Sequence, residues 1–147
     1  MRQVTNTMRP SDFILCAIEL ARQVNMAKHA YDGSFENEQI ALEEHFRSNE
    51  SDFTYYCLAI MYIGRGDVPE WTLIDNACAM NGVAACLASV FAHAEAVDLR
   101  EATRQMIENR SLPSQLIAGI EACVKRGLDI NEEFRMRWGT KSWVAPQ

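Results

Sequence analysis

From Phe53 to Ile63 the chain runs for eleven residues with almost no polar side to turn to water. Phe53, Tyr55, Tyr56, Cys57, Leu58, Ile60, Met61 and Ile63 cover nearly the whole circumference of a helix. A helix apolar all round must lie at the centre of its fold, with others packed against several faces. A strand is the weaker alternative, because the run is long for one and shows no alternation. One buried helix wrapped by amphipathic partners is therefore what the rest of the chain has to supply.

The flanks carry the punctuation of a helix. Ser51 or Asp52 is a candidate N-cap. Gly64-Arg65-Gly66-Asp67 is a turn, in which Gly64 suits the left-handed position that ends a helix. Asp67 suits the next N-cap, with Glu70 three residues on to complete a capping box and Pro69 in the first turn. Trp71, Ile74, Cys78 and Val83 then recur on one face, and the spacing predicts a helix that continues through Gly82 to Phe91.

The other segments have thinner apolar stripes. Ser11 or Asp12 can cap a first helix whose face is Ile14, Ala17, Ile18, Ala21 and Val24. Asp32-Gly33-Ser34 breaks the pattern. A second, peripheral helix is predicted over Glu36 to Arg47, with Ile40, Leu42 and Phe46 inward. Asp98 with Glu101 has capping-box form and opens a helix with Leu99, Ala102, Met106 and Ile107 inward. Ser111-Leu112-Pro113 opens another, faced by Leu116, Ile117, Ile120, Cys123 and Val124 and ended by Gly127. A last short helix is predicted from Asn131 to Trp138, stopped by Gly139. The expected architecture is all-α: a single-domain bundle of about six to seven helices over residues 10–138. A flexible segment, 1–9, precedes it. A tail, 139–147, follows, loose except where Trp143 tucks back.

With 48% hydrophobic residues in 147, such a chain can build a core without metal or disulfides. Its formal net charge is −6. That argues against a nucleic-acid partner, which needs a basic surface, and against an anionic membrane surface. The longest apolar runs fall well short of the roughly 20 residues that span a bilayer, and Met1 to Pro10 has no signal-peptide core. Five Cys, an odd number with no metal-ligand spacing, suggest buried thiols in a reducing cytoplasm.

The acids are unevenly placed. Asp32, Glu36, Glu38, Glu43, Glu44, Glu50 and Asp52 face one base, Arg47, and this segment carries the whole net charge. A solvated helix face accounts for most such runs. The sharper alternative is a docking surface on Glu36, Glu38, Glu43 and Glu44 for a basic partner.

Signatures of catalysis are missing. His29, His45 and His93 have no ligand spacing among them. His45, behind Glu43-Glu44, reads as a surface residue on an acidic helix. Paired carboxylate motifs for Mg²⁺, as in helical nucleotide pyrophosphatases, are incomplete, because positions 47 and 48 are Arg and Ser. No P-loop or nucleophile elbow is present. Arg65-Gly66-Asp67 spells an integrin tripeptide, which three residues produce by chance. No metal or cofactor is expected.

Leu58 to Asp67, with Trp71 beyond and an Ala-rich stretch from Ala77 to Ala88, resembles the signature of an uncharacterised bacterial family, domain-of-unknown-function family 3775. Its members carry an apolar helix, a Leu-Gly-Arg-Gly-Asp-type turn, a Trp and an Ala-rich helix. The resemblance covers Glu44 to Ala88, and the chain departs from it at Phe91 to Val97. It implies no activity. Three functions stay open. The first is a non-enzymatic protein-binding or regulatory module, acting on a protein partner or on a second copy of itself. The second is an acidic antagonist, such as an immunity protein or phage-encoded inhibitor, blocking a basic surface. The third is an anion or nucleotide site at the turn, on Arg65, Gly66 and Asp67, where a helix N-terminus would favour negative charge.

Overall fold

A computed structural model of the chain describes residues 9–30, 35–67 and 80–146. The described residues form seven helices and no strand. In chain order they are α1 (Pro10–Lys28), α2 (Glu36–Arg47), α3 (Ser51–Arg65), α4 (Met80–Glu95), α5 (Leu99–Ile107), α6 (Leu112–Lys125) and α7 (Ile130–Trp138). The all-α bundle is thus as the periodicity predicts.

The all-apolar run is α3, and it is central. It packs against α1, α2, α4, α5 and α6, and ten of its residues, from Phe53 to Ile63 with only Tyr55 partly exposed, are buried. Each large apolar side chain so buried contributes about 2 kcal/mol of transfer free energy. Tyr56 is buried and Tyr55 half-buried, and both spend their hydroxyls on backbone carbonyls. Tyr55 donates to Val97 (3.0 Å) and Tyr56 to Ile130 (3.2 Å), fixing the entrances to α5 and α7.

Where α3 crosses α6 the backbones touch. A Cβ placed on Gly64 would lie 1.7 Å from the Gln115 carbonyl oxygen, and one on Gly119 would lie 2.1 Å from that of Ile60. Gly64 is therefore inside α3, and the expected left-handed position falls two residues later. Gly66 takes φ 91°. Its N–H bonds to Ile63 (3.1 Å) and that of Asp67 to Tyr62 (3.0 Å), which caps the last carbonyls of α3. Nothing lies within 4 Å of a Cβ on Gly66, so only backbone strain opposes a side chain there. Gly66→Ala is expected to cost about 1 kcal/mol, read as a lower urea midpoint at unchanged slope.

The remaining helices follow their sequence signals with local exceptions. In α1 all five predicted inward residues are buried. The helix begins at Pro10, however, because proline is preorganised for the first turn. Asp12 caps from within by accepting from the Arg9 N–H (3.1 Å). Asp98 caps α5 (Arg100 N–H, 2.8 Å), but the reciprocal half is missing, since Glu101 pairs with Arg104 instead. Gly127 ends α6 at φ 78°, as predicted. Val124 is 62% exposed; the buried face of α6 runs instead through Leu112, Leu116, Gly119 and Cys123. Gly82 lies inside α4. The predicted start of that helix near Pro69, and Trp71, Ile74 and Cys78 with it, lie outside the described residues.

The tail is held. Trp143 is buried and donates its indole N–H to the Arg9 carbonyl (3.0 Å). Asn49 exchanges two hydrogen bonds with the Val144 backbone (2.6 and 3.2 Å). Lys141 reaches Glu50 (2.8 Å) and Asp52 (3.1 Å). Trp143 tucks back, and its neighbours are tied down with it.

Candidate functional site

The Gly64–Asp67 turn brings Arg65 and Asp67 together in a way that works against an anion site. The Arg65 guanidinium grips one Asp67 carboxylate oxygen through Nε (2.9 Å) and Nη2 (2.6 Å). It also lies 5.0 Å over the Tyr62 ring. The charge an anion would need is thus already matched by a neighbour. The Gly66 and Asp67 amides, the natural cradle for a phosphate, are spent on the carbonyls of α3. Behind the pair, the Tyr62 hydroxyl donates to Gln105 (3.1 Å), and the ring meets His93 at 5.7 Å. Burial pushes the Tyr62 phenol up, while Arg65 and Gln105 partly offset it, so the group stays a neutral donor. The corner is a polar cluster that ties α3 to α4 and α5.

The acidic segment is less bare than its sequence suggests. Arg47 binds Glu44 (2.6 Å) and Glu43 (3.7 Å) from one turn on. Lys141 pairs with both Glu50 and Asp52 from the tail. Among the described residues no ion pair engages Glu36 or Glu38. Glu36 is exposed and Glu38 half-buried.

On the inward side α2 departs from prediction. Ile40 is 54% exposed, while Leu42, His45 and Phe46 are buried. Those three stand at i, i+3 and i+4, and that spacing was the available signal. The sequence places His45 on the surface, but its ring lies in the core, 4.0 Å from that of Phe13.

Between α2 and α5 runs a groove of about 610 Å³. Phe46, Ile107 and Leu99 supply its apolar part. Its rim alternates in sign: Glu43 and Arg47 on α2, Arg100, Arg104 and Glu108 on α5. The rim charges are largely self-paired, since Arg104 holds Glu108 (2.8 Å) and Glu101, and Arg47 holds Glu43. Sequence reasoning missed this groove, because its walls come from helices far apart in the chain.

A second cleft, of about 450 Å³, lies between α4 and α7. Glu95 fills its polar side by accepting from Arg137 Nε (3.0 Å) and the Trp138 indole (2.8 Å). Burial raises the Glu95 carboxyl, but these hydrogen bonds and the Arg137 charge outweigh it and leave the group below its usual range. The arrangement is a structural latch.

No group of three or more His, Cys, Asp or Glu among the described residues is arranged to hold a metal ion. None of the described helices is long and apolar enough to cross a membrane. Cys16, Cys57 and Cys123 are free thiols. Burial pushes Cys57 well above its ordinary value and Cys123 up to about 12, against the pull of Arg126, so neither ionises readily as a nucleophile. No family model, curated protein or solved structure matches the chain.

Proposed function

We propose that the protein is a non-enzymatic protein-binding or regulatory module, docking its partner on α2 and in the groove between α2 and α5. The groove carries this proposal. A site for a single-sign ligand concentrates one charge, as phosphate sites do. This rim instead presents alternating, self-paired charges around apolar residues, which suits a polypeptide segment with an apolar stripe and polar edges. Glu36 and Glu38, beside it and without an ion pair among the described residues, favour a partner with basic residues at one end. The free thiols of Cys16, Cys57 and Cys123 fit a reducing compartment such as the cytoplasm.

An acidic antagonist would be the same surface used against a basic enzyme. It has less support, because Arg47 and Lys141 already pair with four of the seven acids. An anion or nucleotide site at the turn has the least, given the Asp67 counter-ion.

Capture from the source lysate followed by titration of the captured partner tests the proposal. Thr103→Trp fills the groove, and Glu36→Lys with Glu38→Lys reverses the adjacent charge. Each is expected to weaken binding about tenfold or more, as loss of a central contact does. Equal affinity for wild type and both variants sinks it. Light scattering on the purified chain distinguishes a second copy as the occupant.

A further inference from the structure

His45 is 2% exposed. Its ring stacks on Phe13 and meets the edge of Trp143 at 5.6 Å and Phe46 at 5.8 Å. Nε2 lies 3.0 Å from the Phe13 carbonyl oxygen. A carbonyl only accepts, so the proton of the neutral ring sits on Nε2 and Nδ1 carries the lone pair. Nδ1 is buried and has no hydrogen-bond partner. A second proton would therefore place a positive charge among aromatic rings and leave the new N–H without an acceptor.

No neighbouring carboxylate is turned to receive that charge. On α1, Asp12 pairs with Arg9 (3.4 Å). On α2, Glu43 and Glu44 pair with Arg47. At the start of α3, Glu50 and Asp52 pair with Lys141 of the tail. Phe53 contributes only a ring, against Phe13.

Of the walls around His45, Phe13 and Phe46 belong to packed helices. Trp143 belongs to a segment whose one helical bond is at its start, Gly139 N–H to Arg135 (2.8 Å), and which is otherwise held by one indole bond, the Asn49–Val144 pair and Lys141. Asn49 also donates to the His45 carbonyl (2.8 Å), so the anchor and the imidazole share a turn. The element with the fewest bonds opens first.

We propose that residues 139–146 form a strap released by acid, in which protonation of His45 undocks Trp143 and frees the segment. Burial holds the docked imidazole below its ordinary range, although the bond to Phe13 pulls the other way. The released form takes up the proton more readily than the docked one. Docking is thus at full strength above about pH 6.5, the ordinary histidine value. Below that, the docked-to-released ratio falls about tenfold per pH unit, until the docked imidazole itself titrates. The strap is a pH sensor distinct from the docking reading of the groove, although Phe46 and Asn49 border both.

An NMR titration of the full chain from pH 8 to 5 tests this, following the His45 ring and the exchange of the Trp143 indole N–H. In wild type the indole is expected to lose protection as His45 takes up its proton. In His45→Gln, which keeps a donor for Phe13 but cannot titrate, protection should last through pH 5. In Trp143→Ala, which opens the wall, His45 should titrate at a higher pH than in wild type. An indole freed at the same pH in His45→Gln would assign release to the Lys141 ion pairs and overturn the proposal. If His45→Gln does not fold, the wild-type and Trp143→Ala titrations decide, and equal His45 midpoints overturn it.

Discussion

Gly64→Ala and Gly119→Ala are each expected to destabilise the protein by about 3 kcal/mol or more, the upper range for overpacking. The clash is with backbone, at 1.7 Å from Gln115 for one and 2.1 Å from Ile60 for the other. No rotamer change relieves it, so α3 and α6 must move apart, loosening contacts along the central helix. Against a typical stability of about 5–15 kcal/mol this is a large fraction, equivalent to a fall of about 10 °C in Tm for a chain of this size. The gain in helix propensity, about 1 kcal/mol for Gly to Ala, runs the other way and is too small to rescue either variant. The two sites share one crossing, because a Cβ on Gly64 also comes within 2.8 Å of the Gly119 nitrogen. Once one variant has separated the helices, the second costs less, and the double mutant is expected to be less than additive. Thermal melts followed by circular dichroism measure all three. A Gly64→Ala protein melting within a degree or two of wild type would mean that the helices do not touch.

The same crossing explains what the sequence reveals and what it hides. Local signals read true where the deciding partner is a few residues away. The bounds of α2, the cap at Asp98, the stop at Gly127 and the stripe of α1 all follow from neighbours within two turns. Gly64 and Gly66 are the opposite case. Either could end α3 by its own conformational freedom, and the choice is made by α6, which needs Gly64 inside the helix for close approach. His45 and Ile40 exchange places for a similar reason. Hydrophobicity favours Ile40, but the Leu42–Phe46 face points inward and His45 shares it, made tolerable by one carbonyl on α1. Val124 lost its expected place because α6 turns its glycine, rather than its last aliphatic residue, toward α3. The groove was invisible from the sequence, since adjacency of α2 and α5 is a property of the bundle and of no single segment.

Phe13→Ala is the other large loss, at about 3–5 kcal/mol. Phe13 is fully buried and touches four aromatic rings: His45 at 4.0 Å, Phe53 at 5.0 Å, Trp143 at 5.6 Å and Phe46 at 5.9 Å. Truncation leaves a cavity where α1, α2, α3 and the tail meet. These elements have unequal means of closing it. The helices are fixed by their own packing, whereas the strap depends on Trp143 and a few hydrogen bonds. The damage should therefore appear first in the strap. Hydrogen exchange at the Trp143 indole is expected to accelerate more than exchange of the α3 amides, which report global unfolding. Phe13→Leu retains most of the volume and should cost far less, though it lacks the ring face that His45 stacks on. A double-mutant cycle between Phe13→Leu and Trp143→Ala isolates the ring–ring contribution, expected at about 1 kcal/mol. A coupling near zero, with the strap and core losing protection together in Phe13→Ala, would show that the tail is an integral part of the core and that no separate opening step exists.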